Sequence, residues 1–349
     1  MIEQRKEEHI RIAENEKVES EHNYWDDIKF IHQPLPELDF DQIDCNISLL
    51  GRKLSYPIII SSMTGGTQLA KKINRNLAAA AEKLHIAMGV GSMRAALEKP
   101  ELADTFSVIS EFNIPLKIAN IGAPQLIKQS KEAFRSAEIE KAITMIDANA
   151  LYIHLNFLQE MVQPEGDRRA KGILKRISEV SASFPVIVKE TGNGISRDAA
   201  LELKDAGVKG IDVGGLGGTS FAAIEYYRAK KVNDEEKMSS GSTFWNWGIP
   251  SPASIVYSQV GLPVIGSGGL RNGLDLAKAI SMGAVAGGFA RTLLNSADEG
   301  GDMVIKNLSH TIRDLKIAMF LTRSRAVNDL QKARKVILEP LKSWIDYNG

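Results

Sequence analysis

The sequence is short of the features that mark an exported, thiolate-metal, nucleic-acid-binding or membrane-surface chain. One cysteine, Cys45, in 349 residues excludes an intrachain disulfide and an intrachain thiolate metal cluster, and points to a reducing compartment. Lys plus Arg equals Asp plus Glu, 43 each, so a net charge of zero recommends neither nucleic acid nor a membrane surface as partner. Any anion site has to be local. No window approaches the ~18 apolar residues of a membrane span. The N-terminal MIEQRKEEHIRIAENEKVES is densely charged and lacks the apolar core of a signal peptide. A cytoplasmic protein is expected.

The chain is rich in apolar residues, 44%, and in glycine, 29 residues, many of them paired directly after apolar runs. Eight such runs stop at Gly, Ser, Asn or charge: YPIIISSMTGG (56–66), IAMGVGSMR (86–94), PLKIANIGAP (115–124), ALYIHLNFLQE (150–160), PVIVKETGNG (185–194), GIDVGGLGGTS (210–220), PVIGSGGLRNG (263–273) and GAVAGGFAR (283–291). The stretches between them, such as LAKKINRNLAAAAEKLH and NGLDLAKAISMG, space apolar residues by three and four and favour helix formers. Eight strand-helix units predict an α/β fold, a (β/α)8 TIM barrel. An open doubly wound sheet is the rival, but it usually carries fewer strands and one dominant Gly-rich turn. The predicted organisation is an N-terminal extension over 1–55, the barrel over 56–330 and a C-terminal tail over 331–349. KVNDEEKMSSGSTFWNWGIPS (231–251) reads as an insertion after strand six, part charged and mobile, part aromatic.

In such a barrel the strand ends meet at one face, so their polar residues form one site. Strand seven runs through Gly268, Gly269, Leu270 and Arg271 into a helix, and strand eight ends at Ala290 and Arg291; together they read as a phosphate cradle, with Thr219 as a further donor. Glycines that merely permit tight turns are the plainer alternative. Lys189 follows Ile187 by two and is expected to share its inward face, where it must meet an anion or pair with an acid such as Glu190. Strands one to three offer Ser62, Met63, Thr64, Gly65, Ser92, Arg94 and Asn120, a floor suited to a flat heteroaromatic ring. A ring there with its phosphate at strands seven and eight describes FMN, with Lys189 at the ring's N1/O2 edge. HLNFLQE (154–160) stays ambiguous on composition alone: His154 and Asn156 fit satisfied core groups as well as ligands, and Glu160 fits a solvated loop acid.

RKEEH (5–9), SSMTGG (61–66), MGVGSMR (88–94), NIGAPQ (120–125), HLNFLQE, VKETGNGIS (188–196), VGGLGGTS (213–220), WNWGIP (245–250) and SGGLRNGLD (267–275) resemble, in order, the type 2 isopentenyl-diphosphate isomerases. One departure is Met93, where glutamine is expected in many relatives; it flanks Arg94 and touches fine geometry only. The resemblance implies an enzyme of isoprenoid biosynthesis that interconverts isopentenyl and dimethylallyl diphosphate with FMN, reduced by NADPH, and Mg²⁺. It implies Glu160 as the metal ligand. Arg5, Lys6, His9, Ser92, Arg94, His154, Asn156 and Gln159 become substrate contacts, with Gln159 and His154 at the reacting end. It turns RKEEH, a solvated tail on composition, into a lid, and it implies a homotetramer or homo-octamer. WNWGIP is expected either to shield the isoprenoid tail or to pack between subunits. A hydroxy-acid oxidase on the same barrel and a redox-sensing flavin-binding subunit are the rival functions.

Overall fold

The computed structural model describes residues 2–347. Its centre is a closed barrel of eight parallel strands: β1 (Ile58–Ile60), β2 (Ala87–Gly89), β3 (Lys117–Gly122), β4 (Ala150–Leu155), β5 (Val186–Glu190), β6 (Gly210–Asp212), β7 (Val264–Ser267) and β8 (Ala286–Phe289). The ring closes where β8 pairs with β1, Gly288 opposite Ile59. Six named helices matter for the site: α1 (Ile2–Asn15), α2 (Gln68–Leu84), α3 (Phe157–Val162), α4 (Phe221–Lys231), α5 (Gly273–Ser281) and α6 (Gly301–Leu321). Among the described residues no helix is long and apolar enough to cross a membrane.

The period of two along each strand explains why every strand is apolar yet every strand end is polar. Ile59, Ala87, Ile118, Ala150, Tyr152, Ile187, Ile265 and Ala286 fill the barrel interior. Their neighbours Ile58, Ile60, Met88, Ile121, Leu151, Val186, Val188 and Ile211 face the helices. The same inward parity, carried past the apolar layer, delivers Asn120, His154, Lys189, Asp212 and Ser267 to the C-terminal mouth.

The N-terminal extension covers both ends of the barrel. Ile47–Leu49 and Arg52–Leu54 form a hairpin whose turn runs through Leu50 at φ 50° and Gly51 at φ 74°, the left-handed pair that matches strand twist. Its Leu49 and Leu54 plug the bottom of the inner core. At the other end, Ile12 of α1 packs with Val18 and with Ala223 and Ile224 of α4. Ile28–Phe30 pairs antiparallel with Lys335–Ile337, so the segment after residue 331 is tied to the extension rather than trailing away.

The insertion after β6 differs from the mobile loop its charge suggested. Glu235–Thr243 is a helix, because Asp234 caps it by accepting from the Lys237 N–H at 3.0 Å. The aromatic part divides: Trp245 sits edge-on to Tyr226 and Tyr227 and donates to the Glu19 carbonyl at 2.9 Å, whereas Trp247 is 62% exposed.

The plug carries a test. Leu49→Ala or Leu54→Ala removes a fully buried side chain from a closed core and is expected to cost ~2–5 kcal/mol, read by denaturant unfolding. A loss under ~0.5 kcal/mol would show that the hairpin is a surface ornament.

Candidate functional site

At the C-terminal mouth the strand ends line one cavity of about 680 Å³. Every residue assigned from the sequence to cofactor, substrate or metal lines it except Gly65. Gly65 acts beneath the floor: a Cβ there would lie 1.9 Å from the buried Phe106 ring, so glycine lets the β1 loop close over that ring.

One end of the cavity is the glycine cradle. Gly268 and Gly269 take φ of 97° and 79°, accessible to glycine at little cost. A Cβ on Gly269 would meet the Gly217 carbonyl at 2.3 Å, and one on Gly218 the Gly269 nitrogen at 2.4 Å. The two loops therefore touch back to back. The Gly268 carbonyl accepts from Trp25 Nε1 at 2.8 Å and Ser251 Oγ at 2.9 Å, and the Gly269 carbonyl from Asn23 at 3.0 Å. With the carbonyls held from behind, the loop offers its N–H side beside the N-terminus of α5, which suits a phosphate. The arginines of this end arrive paired: Arg271 with Asp26 at 2.6 Å and Asp275 at 2.8 Å, and Arg291 with Glu19. Their charge is already balanced. A phosphate placed here would accordingly meet backbone N–H groups first.

The floor comes from β1 to β5. Ser61, Ser62, Met63, Thr64, Ser92 and Asn120 line it, and the Ser61 and Ser62 hydroxyls are buried without a partner among the described residues. Asn120 donates to the Val90 carbonyl at 3.0 Å and presents its oxygen to His154 Nδ1 at 2.9 Å. That oxygen accepts only, so His154 carries its proton on Nδ1 and leaves Nε2 as a lone pair. Burial, then the charges of Lys189 and Lys6, push His154 down to about 3, which keeps it neutral. Lys189 donates to the Glu190 carbonyl at 2.6 Å, not to its carboxylate, which accepts from the Thr191 and Gly192 N–H groups at 2.6 and 2.7 Å. The pairing with Glu190 weighed from the sequence is not formed. A floor of unpartnered hydroxyls beside one buried ammonium, continuous with a phosphate cradle, fits the flat ring and phosphate of FMN.

The polar end of β4 turns directly into α3, which stacks Asn156, Gln159 and Glu160 on one side. Asn156 donates to Glu160 Oε1 at 2.9 Å and Gln159 Oε1 at 3.2 Å. Glu160 Oε2 accepts from the Asp167 N–H at 2.7 Å and from Gln163. Burial pushes the Glu160 carboxyl up, opposed by the Asp167 N–H and Asn156. Among the described residues no cluster of three or more His, Cys, Asp or Glu side chains could cage a metal. One carboxylate with nearby amide oxygens suits Mg²⁺, which keeps waters and bridges to phosphate oxygens.

α1 closes the mouth, so RKEEH is helix and not solvated tail. Lys6 donates to the Ser92 carbonyl at 2.8 Å, and burial followed by the Arg5 charge lowers it to about 7. Arg5 lies 3.9 Å from Glu165, and Arg94 is held by Glu98 and Asp167, each at 2.9 Å. His9 meets Glu225 at 3.0 Å, and Glu225 also accepts from Arg228 at 2.7 Å and Gln159 at 3.2 Å. Burial alone would raise the Glu225 carboxyl, but His9, Arg228 and Gln159 together pull it down to about 2. Sequence reasoning missed Glu225, Gln163 and the acids Glu19 and Asp26. Only Gln163, three residues after Glu160 on one helical turn, left a local signal. Neither tryptophan of WNWGIP lines the cavity; its apolar wall is Ile10, Ala13, Phe221 and Ile224.

Residues 9–104 match the family model for FMN-dependent dehydrogenase. The chain is 60% identical to the isopentenyl-diphosphate delta-isomerase of Picrophilus torridus over 346 residues, covering 99% of each chain. It is 60% identical to the enzyme of that name from Thermoplasma volcanium, covering 99% of this chain and 100% of that one. Among solved structures, a mandelate oxidase variant with (S)-mandelic acid superposes with a TM-score of 0.62 at 17% identity, covering 95% of this chain and 90% of that one, which speaks to the fold alone.

The Glu225 cluster predicts a pH signature. A carboxyl lowered from 4.5 to about 2 contributes stability that is complete above pH 4.5 and is lost as pH falls through 2. Wild type should therefore melt higher than Glu225→Gln by a constant margin above pH 4.5, narrowing toward pH 2. A margin that does not change with pH would show that the Glu225 charge does not hold α1 down.

Proposed function

The chain belongs to the isopentenyl-diphosphate delta-isomerases of the FMN-dependent type 2, and from that premise we propose how its residues divide the reaction. The observation that carries the proposal is the continuity of one cavity: a backbone phosphate cradle at one end, and at the other a lidded carboxylate–amide set. The first end would hold FMN through Thr219, Gly268, Gly269, Leu270 and Ala290, with Ser62, Met63, Thr64, Ser92, Asn120 and Lys189 as further contacts; Arg271 and Arg291 brace the loops. At the second end Glu160 would hold Mg²⁺, and Arg94, Asn156, Arg5, Lys6 and His9 would meet the substrate diphosphate.

Moving the double bond adds a proton at C4 and removes one at C2 of a hydrocarbon with no acidifying group, so cationic character develops on the tail. Reduced FMN, when bound, supplies the proton donor and acceptor beside those carbons. The chain's own groups do the rest. A neutral His154 avoids placing a cation beside the tail, and Gln159, fixed between Asn156 and Glu225, orients the carbons. Ile10, Ala13, Phe221 and Ile224 exclude water. NADPH as reductant, a cytoplasmic setting and a homotetramer or homo-octamer complete the proposal.

The test is an anaerobic assay with isopentenyl diphosphate and Mg²⁺, with and without prior reduction. Dimethylallyl diphosphate is expected only with reduced flavin and without stoichiometric NADPH use. Glu160→Gln should lose magnesium dependence and most activity while the protein stays yellow. Flavin reduction by a hydroxy acid, without isomerisation, would favour the oxidase alternative. Lys6 adds a pH effect: an ammonium lowered to about 7 loses its charge as pH rises past 7, so KM should climb there. Lys6→Gln should raise KM about tenfold at pH 6, flatten that climb and leave FMN content unchanged. An unaltered KM would remove α1 from the diphosphate site.

A further inference from the structure

The loop after α3 joins two parts of the site that no motif connects. Gln163, Glu165, Gly166 and Asp167 fold back over α3 so closely that a Cβ on Gly166 would lie 1.6 Å from the Glu160 carbonyl. Asp167 then faces two ways. Its backbone N–H donates to Glu160 Oε2 at 2.7 Å, while its carboxylate accepts from Arg94 Nη1 at 2.9 Å and Gln125 Nε2 at 3.3 Å. Asp167 is itself buried and lies outside the cavity lining. Arg94 has a second anchor, Glu98, which is balanced in turn by Lys131 at 2.7 Å.

We propose that Asp167 is a positioning residue that locks the Arg94 guanidinium and the Glu160 carboxylate into one arrangement, so that a metal-bridged diphosphate meets both at once. The inference rests on the proposed function of this cavity. Two effects of the acid oppose each other. As a charge it repels a polyanion, and as an anchor it holds the arginine in the plane that a diphosphate needs for a two-point contact. A partly buried arginine that loses one of its two charged anchors turns more freely and holds a two-point contact less well. Glu98 and Lys131 leave little net charge for the acid to repel with, so anchoring dominates.

The two effects predict opposite signs for one substitution. Asp167→Asn keeps the size of the side chain and the N–H to Glu160, and removes the charged bond to Arg94. Binding of inorganic pyrophosphate with Mg²⁺, measured by calorimetry on the full FMN-loaded chain, should weaken about tenfold or more. FMN content should stay the same, and KM for isopentenyl diphosphate should rise by more than kcat falls. Arg94→Ala combined with Asp167→Asn should bind no more weakly than Arg94→Ala alone, because both act through one guanidinium. Unchanged or tighter binding by Asp167→Asn overturns the inference while leaving the function intact. A wild-type chain that fails to bind Mg–pyrophosphate overturns both. If Asp167→Asn does not fold, Glu98→Gln, which frees the other side of Arg94, must show the same weakening, and unaltered binding there overturns the inference.

Discussion

The structure depends on one constraint: a closed parallel barrel buries each strand on both faces, so polar side chains are tolerated only where the interior opens. The inner layer through Ile59, Ile118, Tyr152, Ile187 and Ile265 is apolar apart from one phenol. One step further along the same strands stand Asn120, His154, Lys189, Asp212 and Ser267. Because these groups cannot all satisfy one another, the mouth is left with unspent hydrogen-bonding capacity, as the lone Ser61, Ser62 and Asn156 oxygens show. Bottom and top are sealed by the same extension, the hairpin leucines at one end and α1 at the other.

That constraint also decides what was legible in the sequence. Strand ends were readable because a buried strand is an uninterrupted apolar run, and its termination is a local event. Lys189 could be placed facing inward from its spacing to Ile187 alone. The path of residues 1–30 was not legible, since a charged amphipathic stretch has the same composition whether solvated or docked. Its docking is set by partners 220 residues away, as between Glu8 and Arg228, and 245 away, as between Asp26 and Arg271. The helix Glu235–Thr243 was hidden for a related reason: its cap, Asp234, is one of several acids in a charged run.

The resemblance to a family named the site residues but did not describe their state. Arg94, Arg271 and Arg291 read as cations awaiting a polyanion, yet each already sits on carboxylates. Arg94, only 19% exposed, would be costly to bury without partners. Acids supplied by the extension and by the loop after α3 hold the three arginines in place.

A lysine with a pKa near neutrality and a histidine held neutral lower the positive field of the mouth. An incoming diphosphate reverses that balance, because each negative oxygen favours the protonated form of any neighbouring base. The charge that grips the head group is therefore partly created by the head group's arrival. Lys6 adds its share at the lid end, while Lys189 stands in the floor. This distribution matters for the chemistry. On the proposed reaction, a cation developing on the isoprenoid carbons is opposed by any fixed positive charge nearby, so the site gains by limiting the cations around the tail. The neutral His154, its Nδ1 proton committed to Asn120, is one group of the mouth that adds no such charge.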